Sequence, residues 1–117
     1  MQYLLLFATA EDGDPYVAEE DDIVQWVQHT RSIGADLGGE RLRPPEDATT
    51  VTRRGGRTIV TDGPFTESKE WIAGYGILEA ADLDAAIELA SRHPMARYGQ
   101  VEIRPVWSLN LDLGDAS

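Results

Sequence analysis

Apolar positions recur along the chain in two periods, and the switches between them mark the elements. Tyr3 to Ala8 is apolar on both alternating faces, Tyr3, Leu5 and Phe7 on one and Leu4, Leu6 and Ala8 on the other. That is the pattern of a strand buried on two sides. After the loop EDGDP, the acidic run Glu19 to Asp22 precedes Ile23, Val24, Trp26, Val27, Thr30, Ile33, Gly34 and Leu37 at helical spacing. The spacing predicts an amphipathic helix with carboxylates at its positive end, stopped by Gly38-Gly39. Glu40 to Arg43 then extends as a short strand before Pro44-Pro45.

Thr49 to Arg54 and Arg57 to Asp62, rich in Thr, Val and Ile, flank Gly55-Gly56 and predict a hairpin with a primed turn. Trp71 to Ala80 alternates again, with Trp71, Ala73, Tyr75 and Ile77 on one face and Ile72, Gly74, Gly76 and Leu78 on the other. Two glycines on one strand face predict a close approach there. Asp82 reads as the N-cap of a second helix striped by Leu83, Ala86, Ile87 and Ala90 and stopped by Pro94. A last strand spans Gln100 to Trp107, and Leu109, Leu111 and Leu113 alternate in a tail, 108–117, expected to add an edge strand before fraying.

Without the hairpin the order is βαββαβ, so the expected fold is α+β and ferredoxin-like with an inserted β-hairpin. Right-handed crossovers put both helices on one face of the antiparallel sheet. The other face is then uncovered, yet the first strand and the Trp71 to Leu78 strand are apolar on both sides. Each large side chain left in water would forgo roughly 1.5–3 kcal/mol of burial. A second copy of the same sheet is the economical cover, giving a homodimer of the dimeric α+β barrel type with a cavity between or beside the sheets. The alternative cover is a lid made by the hairpin and the leucine tail.

With 117 residues, 42% of them apolar and 26% charged, the chain holds one domain, 1–117. The 21 acidic residues outnumber the 10 basic ones, and the net charge of −11 argues against direct binding to nucleic acid or to an anionic membrane. No stretch is long and apolar enough to span a bilayer, and Tyr3 to Ala8 is too short for a signal-peptide core. The absence of cysteine removes disulfides, thiolate nucleophiles and cysteine-based metal sites, so a cytoplasmic location is the expectation.

The run VTDGPFTESKE follows the RRGGRTI hairpin and precedes GYGILEAADLDAAIELA and GQVEIRPV. Together with GERLRP at Gly39 to Pro44, these segments resemble the DGPF branch of the YCII-related proteins across nearly the whole chain. The resemblance implies the dimeric α+β barrel. It also implies a cleft with suspected enzyme activity, and for some relatives an association with extracytoplasmic-function sigma factors. It matches residue by residue at Asp62, Gly63, Pro64, Phe65, Glu67, Lys69, Glu70, Gly74 and Tyr75. The broader family's active-site histidine lies early in the first helix, whereas His29 lies late in it, so that role is not carried over.

Asp62, Lys69 and Glu70 are the catalytic candidates, with Glu67, Tyr75 and His29 as substrate-binding ones. Asp62 can act as a general base if desolvated, or accept backbone N–H bonds as Asp does in turns. Lys69 can bind a carboxylate or enolate while Glu67 or Glu70 moves a proton, or all can form a solvated polar turn. Phe65 is expected to plug the loop into the core, and His93 to sit at the negative end of the second helix. Arg53, Arg54 and Arg57 at the hairpin tip can hold an anion or an acidic partner, or serve solubility. No spacing supports a metal site or a cofactor fingerprint. The reading is a homodimer binding a small acidic or carbonyl metabolite, with cofactor-independent acid–base chemistry as the activity if it is an enzyme. The alternative is a non-catalytic interaction or regulatory protein associated with sigma-factor-dependent transcription.

Overall fold

A computed structural model describes residues 1–66 and 68–111. In chain order the elements are β1 (Gln2–Thr9), α1 (Ile23–Ser32), β2 (Asp36–Arg41), β3 (Thr49–Arg54), β4 (Arg57–Asp62), β5 (Ile72–Glu79), α2 (Leu83–Ser91), α3 (Met95–Tyr98) and β6 (Gly99–Pro105). The four strands β2-β5-β1-β6 form one antiparallel sheet in that order, and β3 and β4 form a separate ribbon. This is the ferredoxin-like α+β plan with an inserted hairpin.

The alternation of β1 separates the two faces. Tyr3, Leu5 and Phe7 are buried with Leu78, Ala86, Leu89 and Ala90, and Trp26 packs on the same cluster from α1. Asp82 caps α2, its carboxylate accepting the Ala85 N–H at 2.9 Å. Leu4, Leu6 and Ala8 point the other way and are only half-buried. The register sets Leu4 beside Ile77 and Leu6 beside Tyr75 on β5, and beside Arg104 and Glu102 on β6. An apolar centre with charged residues along one edge is what this face offers.

The first helix ends earlier than the spacing predicts. Gly34 takes a φ of 70°, its N–H bonding to Arg31 O at 3.1 Å and the Ala35 N–H to Thr30 O at 2.8 Å. These paired bonds terminate α1, leaving Ile33 and Leu37 outside it and exposed. Gly38-Gly39 therefore belong to β2, where Asp36 accepts the Gly38 N–H at 2.9 Å beside a shift in register. Gly39 has a φ of 153°, and a Cβ there would meet Tyr75 O at 2.5 Å.

The ribbon matches the predicted limits, and Gly55 and Gly56, with φ of 57° and 76°, make its primed turn. Among the described residues it packs on no other strand or helix beyond marginal contact, and β4 is exposed along its whole length. Its base is tied by the Gly63 N–H to Ala48 O at 2.7 Å and by the Thr50 hydroxyl to Gly63 O at 2.8 Å. The radius of gyration, 17.0 Å, exceeds the about 13 Å of a compact chain this long, as a projecting arm requires. Phe65, expected in the core, is 89% exposed because its loop leaves the ribbon without folding back on the sheet. Residues 106–111 form no strand, with Trp107 and Leu109 exposed, and Leu113 lies outside the described residues.

Gly39→Ala should lower unfolding free energy by about 1–3 kcal/mol, because the new Cβ meets β5 backbone and the φ disfavours an L side chain. Urea denaturation checks this, and a variant as stable as the parent would show that β2 can move away from β5.

Candidate functional site

Phe7 points from β1 to the helix side, and the glycines of β5 make room for its ring. A Cβ on Gly76 would lie 3.5 Å from the ring and one on Gly74 3.6 Å from it. The close approach read from GYG is thus filled by Phe7. His93 lies on the ring, with centroids 4.0 Å apart and planes within 11°. Trp26 meets the imidazole edge-on at 4.7 Å, and its indole N–H donates to Leu89 O at 2.8 Å, joining α1 to α2.

His93 stands just past the last turn of α2, as expected, but its ring packs on Phe7 and Trp26 rather than on the helix's negative end. The residue is 6% exposed, and burial pushes its pKa down to about 4 although Asp21 and Asp22 pull the other way. The ring is neutral at pH 7. Its Nδ1 accepts the Met95 N–H at 3.0 Å, so the proton is on Nε2. Among the described residues no side-chain nitrogen or oxygen is both buried and without a partner, and Nε2 bonds to none of them. The Nε2–H is therefore not fully sealed, and His93 lines a cleft of about 590 Å³ between the β5–β2 edge and the helices.

The acidic segment between β1 and α1 forms the rim. It is strapped to α3: the Asp14 N–H donates to Arg97 O at 2.9 Å, the Arg97 guanidinium to Glu20 O at 2.9 Å and the Tyr98 hydroxyl to Val17 O at 3.2 Å. Tyr16 packs against Tyr98, with centroids 5.0 Å apart, and donates to the Asp21 carboxylate at 2.7 Å. That bond, with slight burial and the charge of Asp21, raises the Tyr16 pKa, so the phenol stays protonated. Arg41, where β2 borders the cleft, forms no salt bridge with any described residue. The cleft therefore brings together a neutral N–H donor, a carboxylate held by a phenol, and a guanidinium.

The residues selected from the sequence lie elsewhere. Asp62 is exposed at the end of β4, and its carboxylate accepts no hydrogen bond from the described residues, so the turn is closed by the bonds to Gly63. Lys69 is exposed and 3.9 Å from Glu11, while Glu70 accepts from the Gln100 amide. Glu67 lies outside the described residues. Neither Asp62 nor Lys69 lines the 590 Å³ cleft. Glu70 alone of the three borders a wider hollow of about 880 Å³ walled by Leu42, Pro44, Pro64, Phe65 and Trp71. Tyr75 borders the 590 Å³ cleft and stands beside Leu6 in the sheet, whereas His29 is exposed on α1. The signal for His93 was present: Ala86, Ala90 and His93 continue one helical stripe, so the histidine falls on the buried side.

A family model described as the YCII-related domain matches residues 1–110. A protein of Rhizobium meliloti (strain 1021), described as uncharacterised, is 40% identical over 68 residues, which cover 56% of this chain and 55% of that protein. The match thus spans about half the length of that relative.

The low pKa of His93 fixes how stability responds to acid. An unfolded histidine binds its proton near pH 6.5 and the native one only near pH 4, so stability is full above 6.5 and declines as pH falls to about 4. The loss from this group should reach roughly 2–3 kcal/mol. Urea titrations between pH 7 and 4 should show this slope, and His93→Phe should flatten it. An unchanged slope in the variant would assign acid sensitivity to the carboxylates instead.

Proposed function

The chain belongs to the YCII-related family, and we propose that it binds a small acidic or carbonyl metabolite in the His93 cleft and performs cofactor-independent acid–base chemistry on it. The observation that carries this reading is a buried, neutral histidine that lines the cleft with an Nε2–H bonded to no described residue. A neutral imidazole with so low a pKa is a poor base at pH 7 but a good hydrogen-bond donor. It suits a carbonyl oxygen that gains negative charge as the substrate enolises. Asp21, oriented by the Tyr16 hydroxyl, is the group able to accept the carbon-bound proton. Arg41 is the cation for a substrate carboxylate, which a chain of net charge −11 would otherwise repel. Asp62, Lys69 and Glu70 keep a place in the proposal at the outer loop, where a ligand leaving the cleft or a second copy would meet them.

The working form in this proposal is a homodimer joined through the open sheet faces. Leu4, Leu6, Ala8, Tyr75 and Ile77 supply a continuous apolar centre, which half-burial in one chain leaves incompletely removed from water.

Two measurements test these statements. Short enolisable keto acids should raise the thermal midpoint and shift the His93 imidazole resonances in NMR, and His93→Phe should abolish the thermal effect while the fold persists. Keto acids that leave the His93 resonances unmoved would overturn the cleft reading. Sedimentation should show a dimer that Leu6→Arg converts to a folded monomer, whereas a monomeric parent would overturn the assembly.

A further inference from the structure

The ribbon is a structure without a support. A two-stranded hairpin alone is marginal in water, yet among the described residues β3 and β4 have no third strand and no covering helix. Val51, Ile59 and Val60 are all exposed on it. Its six-residue strands carry the turn about 20 Å from the base. At that distance stand Arg53, Arg54 and Arg57, and none of them forms a salt bridge with a described residue of its own chain.

The complementary surface is on the same molecule. The segment EDGDPYVAEEDD, residues 11–22, contains no basic residue, and it is held in a defined shape over α3. The salt bridges to this segment lie only at its ends, Arg97 to Asp22 and Lys69 to Glu11, which leaves Asp12, Asp14 and Glu19 without a salt bridge among the described residues. A chain that carries both an unpaired basic arm and an unpaired acidic rim is complementary to a second copy of itself. Twofold symmetry then satisfies both arms and both rims at once.

We infer that the β3–β4 ribbon is an exchange arm: in the homodimer it reaches the second copy, lays Arg53, Arg54 and Arg57 along that copy's segment 11–22, and closes the mouth of its cleft. The inference rests on the proposed homodimer and adds what the arm does in it. The rim includes Tyr16 and Asp21, so the cleft of each copy is completed by cations of the other. A substrate carboxylate entering there meets arginines that a single chain does not provide.

The cysteine-free sequence permits a direct test, because a chain with one engineered cysteine can form only intermolecular disulfides. Arg54→Cys chains are mixed with Glu19→Cys chains of different mass, and the mixed disulfide is followed under mild oxidation. A mixture of Arg54→Cys with Ser91→Cys, on the exposed side of α2, is the control. The first pair should cross-link at least about tenfold faster than the control, since docking raises the local concentration toward the millimolar range. High salt, or Arg53→Glu with Arg57→Glu in the arm, should remove the advantage. Equal rates for the two mixtures overturn the arm. Sedimentation of the parent separates the two ideas: a dimer with equal rates leaves the sheet-face assembly standing, and a monomer overturns both.

Discussion

The stack of His93 on Phe7 is the contact on which the candidate site depends. The glycines at positions 74 and 76 let the Phe7 ring lie against β5, where a Cβ at either would stand 3.5–3.6 Å from the ring and anything larger would crowd it. The stack requires Trp26 to close the imidazole edge, and the indole N–H satisfies a carbonyl near the end of α2 while doing so. Burial against these rings removes the positive charge from the histidine, and the Met95 N–H selects which nitrogen keeps the proton. Packing alone thus decides the chemical character of the group that faces the cleft. A histidine at the same place in the sequence but in water would be a partial cation near neutral pH, with no fixed donor direction.

The acidic segment is coupled to that stack through α3. This short helix follows His93-Pro94 directly, and Arg97 and Tyr98 on it hold the carbonyls of Glu20 and Val17. The imidazole and the residues that strap the acidic segment therefore lie in one short run of chain, His93 to Tyr98. Asp21 and Asp22 favour the protonated form of His93, but desolvation outweighs them, so the carboxylates remain available for other partners. The pair of Tyr16 with Asp21 follows the same logic, a phenol giving its hydrogen bond to a carboxylate that forms no salt bridge among the described residues.

The alternating patterns of β1 and β5, the Asp82 cap and the paired glycines of the ribbon were legible in the sequence because each is a local signal with one physical meaning. The end of α1 was not. Gly34 read as part of the helical spacing and Gly38-Gly39 as its stop, and only the bonding at Gly34 shows that Gly38-Gly39 serve a close strand contact instead. Phe65 misled for a related reason: hydrophobicity predicts burial, but a loop on an unsupported ribbon has no core of its own chain to enter. The cleft was missed because it joins Phe7, Trp26 and His93 across three elements. The DGPF motif drew notice as a compact run of chemistry-bearing residues, yet His93 was visible only as a continuation of an apolar stripe.

The open sheet face and the ribbon would contribute different things to the proposed dimer. Apolar contact between Leu4, Leu6, Tyr75 and Ile77 of two copies is non-directional, so it favours association without choosing one rotation of the sheets over another. Arginines meeting carboxylates are individually weak at an exposed surface and screened by salt. Their effect lies in rejecting arrangements that set acid against acid, which for chains of net charge −11 is most of them. Removing the arm charges should therefore alter orientation and salt response more than affinity, while a charge on the sheet face should act on affinity first. A ribbon too exposed to stabilise its own chain is an economical place for such residues, since nothing in the monomer's core constrains them.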